Sequence, residues 1–315
     1  MPRKEINLLA RDIRFYLFGG ADVAAADWQS DDWVYPLDWG YQLDREADYF
    51  DPKDEHGIPL HVYGGGIGVQ YLPSRVAGFA LAHWNRWRVA GDASNRSSFL
   101  MAADWFRDAP DNRYLYDFAV AGITPPWISC IAQGEGGSIL ARAFVETGDP
   151  AYREAAARSM EPLKHMVGDG GVQDRLPDGS PFLEEYPGSI YRHVLNGCLY
   201  GVIGMHDVLR VLDRPDEQLA SLLQQVTEAV VANIEAWSVG GWTSYDYPKP
   251  GERRRNLNTM TYQTLQSILV RYVGEIRGEP RLIAAADRWS RAAASPFARS
   301  GAMVRKIAYR LSHRY

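Results

Sequence analysis

GDPAY at residues 148–152, read with GDASN at 91–95, DRPDE at 213–217 and GEPRL at 278–282, is the stretch that decides the fold. Each copy reads as a helix stop joined to a helix start. Glycine suits the left-handed residue that closes a helix, and an acidic residue before Pro or Ala suits the cap and first turn of the next. The copies begin 57, 65 and 65 residues apart. Runs of helical period precede them (Pro73–Val89, Cys130–Thr147, Val194–Leu212, Asn258–Arg277), and second helices follow, as over Tyr152–Met166 and Leu282–Ala294. A repeat of roughly 60 residues holding two antiparallel helices is longer than tetratricopeptide or HEAT units of about 34 to 47 residues. It predicts an all-α chain, an (α/α) toroid of about four helical hairpins whose first helices line the centre. Gly134, Gly136, Gly137, Gly197, Gly201 and Gly204 lie inside those first helices, where each costs about 1 kcal/mol relative to Ala unless close packing requires it. They are assigned to the crowded inner ring.

Outside the repeat, residues 19–66 have no long helical period and are expected to form an extended or short-stranded segment packed on the toroid. The division expected is therefore 1–66, an N-terminal helix and extended segment, and 67–315, the toroid. The D-x-x-D-E spacing at Asp51, Asp54 and Glu55 has calcium-ligand character but reads as a solvated turn, so no metal is expected.

The 315 residues are 46% hydrophobic and 12% aromatic, enough for a sizeable core, and the formal net charge of -5 gives no basic field to attract nucleic acid. Cys130 and Cys198 lack paired metal-ligand spacing and read as buried small hydrophobes. Arg11, Asp12 and Arg14 interrupt what would be the apolar core of a signal peptide, and no apolar run reaches the roughly 18 residues of a membrane span. A cytoplasmic protein is expected. Ile6, Leu9, Ile13 and Tyr16 form an apolar stripe beside Arg3, Lys4, Arg11 and Arg14; Val304, Ile307 and Leu311 form another beside Arg305, Lys306, Arg310 and Arg314. Packing of both stripes against the toroid is expected, with peripheral contact to an anionic membrane as the alternative. Nothing in the sequence forbids a homodimer.

The long connections precede the first helices: HVYGGGIGVQYLP (61–73), GITPPWISC (122–130), DGSPFLEEYPGSIYRH (178–193) and VGGWTSYDYPKPGERRRNLN (239–258). They are rich in Tyr, Trp, Gly and charge, as functional loops often are. A site at the N-terminal ends of the first helices, whose free N–H groups favour anions, is expected. There Tyr71, Trp127, Glu185, Tyr186, Tyr245 and Tyr262 would converge. Trp33, Trp39, Trp127 and Trp242 are available to stack on sugars, although large aromatics mostly pack.

With the loops placed, WISCIAQGEGGSILARAFVETGDPAY (127–152), FLEEYP (182–187) and VLNGCLYGVIGMHDV (194–208) resemble the D-glucuronyl C5-epimerase family, and VQYLPSRVAGFALAHWNRW, WTSYDYP and TMTYQTLQSI resemble it more weakly. The resemblance runs from Gly57 to Val273. It implies an α/α toroid catalytic domain that inverts C5 of D-glucuronic acid residues in a polysaccharide, giving L-iduronic acid, with no cofactor and an anionic uronic-acid polysaccharide as partner. By motif, Glu185 and Tyr186 take the EEYP positions, Tyr245 the YDL position and Tyr262 the Y-H position, which carry the catalytic side chains. Leu72, Gly78, Phe79, Glu135, Pro248 and Gln263 depart from the family pattern.

Removing a proton α to a carboxylate demands neutralisation of that carboxylate, a base on one face and an acid on the other. Glu185 is the expected base and Tyr262 its counterpart, with Tyr186 and Tyr245 stabilising the intermediate. Tyr71, Trp127, Gln133, Glu135, His193, Asn196, Arg253, Arg254 and Arg255 are expected to bind the substrate. His193 reads first as a loop histidine packed beside a helix start, with a proton carrier or carboxylate ligand as the functional alternative, and the arginines read equally as a solvated run. Two alternatives remain: a polysaccharide lyase, whose β-elimination starts with the same proton, and a non-catalytic glycan-binding toroid.

Overall fold

The computed structural model describes residues 3–45, 49–189 and 191–312, with side chains from residue 10 onward. Arg3, Lys4, Ile6, Leu9 and Arg314 of the two predicted stripes lie outside the described side chains. The helices are α1 (Arg3–Phe18), α2 (Pro73–Ala90), α3 (Ala93–Arg107), α4 (Cys130–Thr147), α5 (Pro150–Ser159), α6 (Leu195–Leu209), α7 (Glu217–Asn233), α8 (Met260–Arg277), α9 (Pro280–Ala294) and α10 (Pro296–Ser312). Strands among the described residues occur only in two-stranded pieces. The fold is all-α, built of packed helical pairs in the manner of an (α/α) toroid.

The repeated turns do what their residues dictate. Gly91, Gly148 and Gly278 close α2, α4 and α8 with φ of 68°, 72° and 68°, the left-handed region open to glycine. Asp92 and Asp149 then cap the next helix by accepting from the backbone N–H of Ser94 and Ala151, and Asp216 accepts from that of Leu219. Helix α5 ends at Ser159, short of the predicted Met166. Pro162, which has no N–H to continue the ladder, sits in a tighter turn over Glu161–Lys164.

The chain divides into two units, residues 26–230 and residues 1–25 with 231–315. The expected boundary at residue 66 is therefore not where the packing changes. Segment 26–45 belongs to the larger unit because α2 holds it: Asn85 accepts from Tyr35 N and donates to the carbonyls of Tyr35 and Leu37, and Trp84 Nε1 donates to Trp33 O. Helix α1 packs on α10 in the smaller unit.

In the larger unit α2 pairs with α3, α4 with α5, and α4 with α6. Helices α4 and α6 are buried almost all round, as lining helices should be. Their glycines explain how closely they approach. A Cβ on Gly134 would lie 2.3 Å from Tyr200 O, and one on Gly204 2.4 Å from Gly134 O, so neither position can hold a side chain without separating the helices. Between them runs a buried ion pair. Arg142 Nη1 donates to Asp207 Oδ2 at 2.5 Å, Ser138 Oγ donates to the same oxygen at 2.8 Å, and Arg142 also donates to the carbonyls of Ser138 and Trp33. Trp33 packs under the Arg210 guanidinium rather than standing open to a sugar.

In the smaller unit α8 pairs with α9, and a core of Phe15, Tyr16, Trp242, Leu257, Met260 and Ala302 joins α1, α8 and α10. Trp242 is buried there, its Nε1 bonded to Asn258 O. Helix α10 enters that core through Ala302 and also buries Tyr309, on the face opposite its predicted stripe. Val304, Ile307 and Leu311 are exposed, so the expected packing of the α10 stripe is not what forms, whereas of the α1 stripe Tyr16 packs in the core and Ile13 is exposed.

Candidate functional site

The EEYP segment owes its position to alternation along a strand. Gln173–Arg175 and Pro181–Leu183 form an antiparallel hairpin, and the chain continues extended into Glu184 and Glu185. Residues two apart on a strand share a face, and residues four apart on a helix share a face. Leu183 and Glu185 therefore lie over Gly201 and Gly197 of α6. A Cβ at Gly197 would meet Glu185 Cβ at 2.6 Å, and one at Gly201 would meet Leu183 Cδ1 at 2.7 Å. The start of α4 is tied to the same segment by Cys130 N donating to Glu184 O.

Glu184 points the other way and is buried. Its carboxylate accepts from the backbone N–H of His193 and lies 2.5 Å from His193 Nδ1. His193 is itself buried, with φ of 53° and its ring against Phe182. Its backbone N–H and ring nitrogen on Glu184 hold the loop. Asp174, Glu184 and His193 bring one ligand atom each within 4.8 Å of the others, the one such group with metal-ligand character among the described residues. Arg192 lies 2.7 Å from Asp174, and His193 Nδ1 lies 2.5 Å from Glu184, so both carboxylates of the trio already have protein partners.

Glu185 has a second carboxyl for company. Glu135, in the first half of α4, is buried, and its Oε2 meets no hydrogen-bond partner. Burial first, and the Glu185 carboxylate second, push the Glu135 carboxyl well above the usual range, so it is held protonated where an exposed glutamate would have ionised. Tyr116 completes the group: burial first, with Glu135 and Glu185 adding in the same direction and a bond to Ser74 opposing them, keeps its hydroxyl neutral. Its ring stacks on Trp127 at 4.1 Å and 13°, and Trp127 in turn lies 6.0 Å from Tyr186. Tyr186 borders a cavity of about 360 Å³ shared with Asp174, Glu184, Ser189 and Arg192. Asn196, in the first turn of α6, buries an Oδ1 that has no partner, and so does the Tyr35 hydroxyl beside Glu135.

Other expected residues have different work. Gln133 is fully buried and acts as a clamp: its Oε1 accepts from Tyr114 N and its Nε2 donates to the carbonyls of Asn112 and Ser159. Gln263 repeats the device in the smaller unit, accepting from Thr243 N and donating to Trp289 O. Both glutamines stand four residues after a capping hydroxyl, Ser129 or Thr259, and both reach a carbonyl 26 residues on. Gln263 is thus a structural departure from the family pattern. Tyr71 donates to Asp54 at 2.6 Å on the surface, and Asp54 also accepts from the backbone of His56 and Ile58, which makes the Asp51–Glu55 segment an ordinary turn. Arg255 spends its guanidinium on Ala236 O and Ser244 Oγ. Arg254 donates to Ala308 O, and Arg253 is exposed. Tyr245 and Tyr262 form an edge-to-face pair of their own in the smaller unit, at 5.7 Å and 87°. Cys130 and Cys198 are buried free thiols, Cys198 pushed up to about 12 by desolvation.

Residues 110–291 match the model of the D-glucuronyl C5-epimerase C-terminus. The chain belongs to that family. The family domain contains Glu185, Tyr186, Tyr245 and Tyr262, and Tyr71 lies before it. A D-glucuronyl C5-epimerase of Caenorhabditis elegans is 29% identical over 211 residues, which is 61% of this chain and 34% of that protein; the chain thus spans about a third of that relative's length. Among solved structures, an unsaturated glucuronyl hydrolase responsible for glycosaminoglycan degradation, from Bacillus sp. GL1, is similar at 19% identity with a TM-score of 0.47, over 69% of this chain and 60% of that one. A polysaccharide lyase is similar at 10% identity, also with a TM-score of 0.47, over 78% and 69%.

Proposed function

We propose that this member of the epimerase family acts on uronic-acid residues of an anionic glycan by removing the proton at C5, with Glu185 as the base. The observation that carries the proposal is the carboxyl pair: Glu185 seated on Gly197, and within its field a buried Glu135 whose Oε2 has no hydrogen-bond partner and whose carboxyl burial pushes well above the usual range. Two carboxyls in one low-dielectric place divide into a base and an acid, because both cannot be charged there. Glu185 takes the proton that lies α to the substrate carboxylate. Glu135 is then a proton donor kept neutral by its surroundings, and the neutral hydroxyl of Tyr116 lies within reach of the same field. General acid and base groups so placed contribute about a hundredfold to ten-thousandfold each.

The family relation supports return of a proton to C5 from the opposite face, which inverts the centre and converts D-glucuronic to L-iduronic acid units. The placement of an acid next to the base supports a second outcome of the same first step: protonation of the departing oxygen at C4, which gives β-elimination. Product analysis distinguishes the two. Incubation with heparosan or chondroitin-type polymers should give L-iduronic acid signals by NMR with no chain cleavage if the centre is inverted. Shortened chains with a new ultraviolet-absorbing C=C bond mark elimination. If neither change occurs while the polymer binds, the chain is a glycan-binding module and the proposal fails.

A further inference from the structure

Helix α10 leaves its apolar stripe in water. Phe297 is 91% exposed, Leu311 73% and Val304 62%, and Ile307 is exposed beside them. Phe297, Val304 and Leu311 are spaced seven residues apart, which on a helix sets them along one line. Helix α1 packs on α10 and adds Ile13, Leu17 and Phe18, the last 80% exposed. Ile13 and Ile307 border the same small cavity together with Tyr16 and Met303, so the two exposed faces are continuous.

The charge on the α10 side of this face is positive, and Asp12 of α1 is the carboxylate that borders the shared cavity, beside Lys306 and Arg310. The segment Pro296–Ser312 contains Arg299, Arg305, Lys306 and Arg310 and no acidic residue, in a chain of net charge -5. Arg299 is buried and caps α9 by donating to the carbonyls of Ala293 and Ala294. Lys306 is partly buried, donates to Asn256 Oδ1, and is pulled down to about 8, by desolvation first and Arg310 second. Arg305 and Arg310 are exposed at the flanks of the stripe, and Arg14 is exposed on α1.

We infer that α1 and α10 form a docking surface for an anionic lipid bilayer. The apolar line enters the acyl boundary while the flanking arginines meet the headgroups, the arrangement of an interfacial helix. No helix among the described residues is long and apolar enough to cross a membrane, so the attachment lies on the surface. A soluble anionic glycan would answer the arginines but not Phe297, Val304 and Leu311. A second copy of the chain would answer the apolar line but bring like charges together, since a two-fold contact sets the same patch against itself. The inference is independent of the reaction catalysed.

Cosedimentation of the whole chain with phosphatidylglycerol-rich vesicles tests it. Binding at least about tenfold tighter than to phosphatidylcholine vesicles is expected, falling with added salt and by about fivefold for each of Arg305→Ala and Arg310→Ala. Val304→Asp with Leu311→Asp should abolish binding and leave the thermal melt unchanged, because both side chains already face water. Phe297→Ser provides a second, milder variant with the same direction. No binding to the anionic vesicles, or binding that survives Val304→Asp with Leu311→Asp, overturns the inference. So does concentration-dependent self-association in the absence of vesicles that the same pair removes, for then the occupant is a second copy.

Discussion

Gly197→Ala is the single perturbation in the larger unit that presses directly on Glu185. The added Cβ would sit 2.6 Å from Glu185 Cβ, against the 3.4 Å at which ordinary contact begins, so Glu185 must retreat by about 0.8 Å. The obstructing atom is bonded to the backbone and cannot swing aside, and the strand carrying it is fixed by Cys130 N to Glu184 O and by the Glu184 bonds to His193. Overpacking of this kind costs about 1–3 kcal/mol of stability. A misplacement approaching 1 Å at a catalytic group costs about a hundredfold in rate. Gly201→Ala is the internal control. Its Cβ would be just as tight, 2.7 Å, but against Leu183 Cδ1, the tip of a side chain that can turn away. The melts of both variants should therefore fall by several degrees or less, while C5 proton exchange in a uronic-acid polymer should fall about a hundredfold in Gly197→Ala only. Parental exchange by a folded Gly197→Ala, or equal losses in the two variants, would refute the placement of Glu185 as the base.

Glu135→Gln replaces a carboxyl already held protonated by a neutral isostere. Because the folded value lies above the ordinary 4.5, the folded state binds the proton more tightly than the unfolded one, and stability is lost as pH rises from 4.5 through the raised value. The variant should melt higher than the parent at neutral pH and lose that part of the pH dependence; a parent and variant with parallel pH profiles would count against the buried neutral acid. Asp207→Ala strands the Arg142 guanidinium in a dry interior and should cost about 3–5 kcal/mol by urea unfolding, with the double change to Arg142→Ala and Asp207→Ala costing less than the two singles together. Tyr262→Phe tests the role that family resemblance gives that residue: at least about a hundredfold loss of product is expected, and unaltered turnover would remove the residue from the chemistry.

The fold was legible wherever local chemistry dictates it. Glycine at 91, 148 and 278 can close a helix in the left-handed region, and the residues after it can start another, so hairpin order followed from turns alone. Close helix packing was legible through Gly134 and Gly204 because glycine inside a buried helix has no other stabilising reason. What depends on distant partners was harder to read. The Gln133 amide looks like a candidate ligand, and Gln263 like a lost catalytic position, until their carbonyl partners appear, although the equal spacing after Ser129 and Thr259 was a usable sign of a repeated clamp. Glu184 was overshadowed by Glu185, since only strand alternation decides which of two neighbouring acids faces α6. The Arg142 to Asp207 pair left its trace as single charges within otherwise apolar helices. The exposed stripe of α10 could not be foreseen because periodicity shows that a helix has an apolar face and not what covers it.

The most direct measurement is deuterium uptake at C5, followed by NMR, when heparosan or a chondroitin-type polymer is incubated in deuterated water with the parent chain and with Glu185→Gln. The parent should place deuterium at C5 of one of these polymers, and the glutamine variant should do so at least about a hundredfold more slowly while remaining folded. No uptake from either polymer, or parental uptake by Glu185→Gln, would contradict the account.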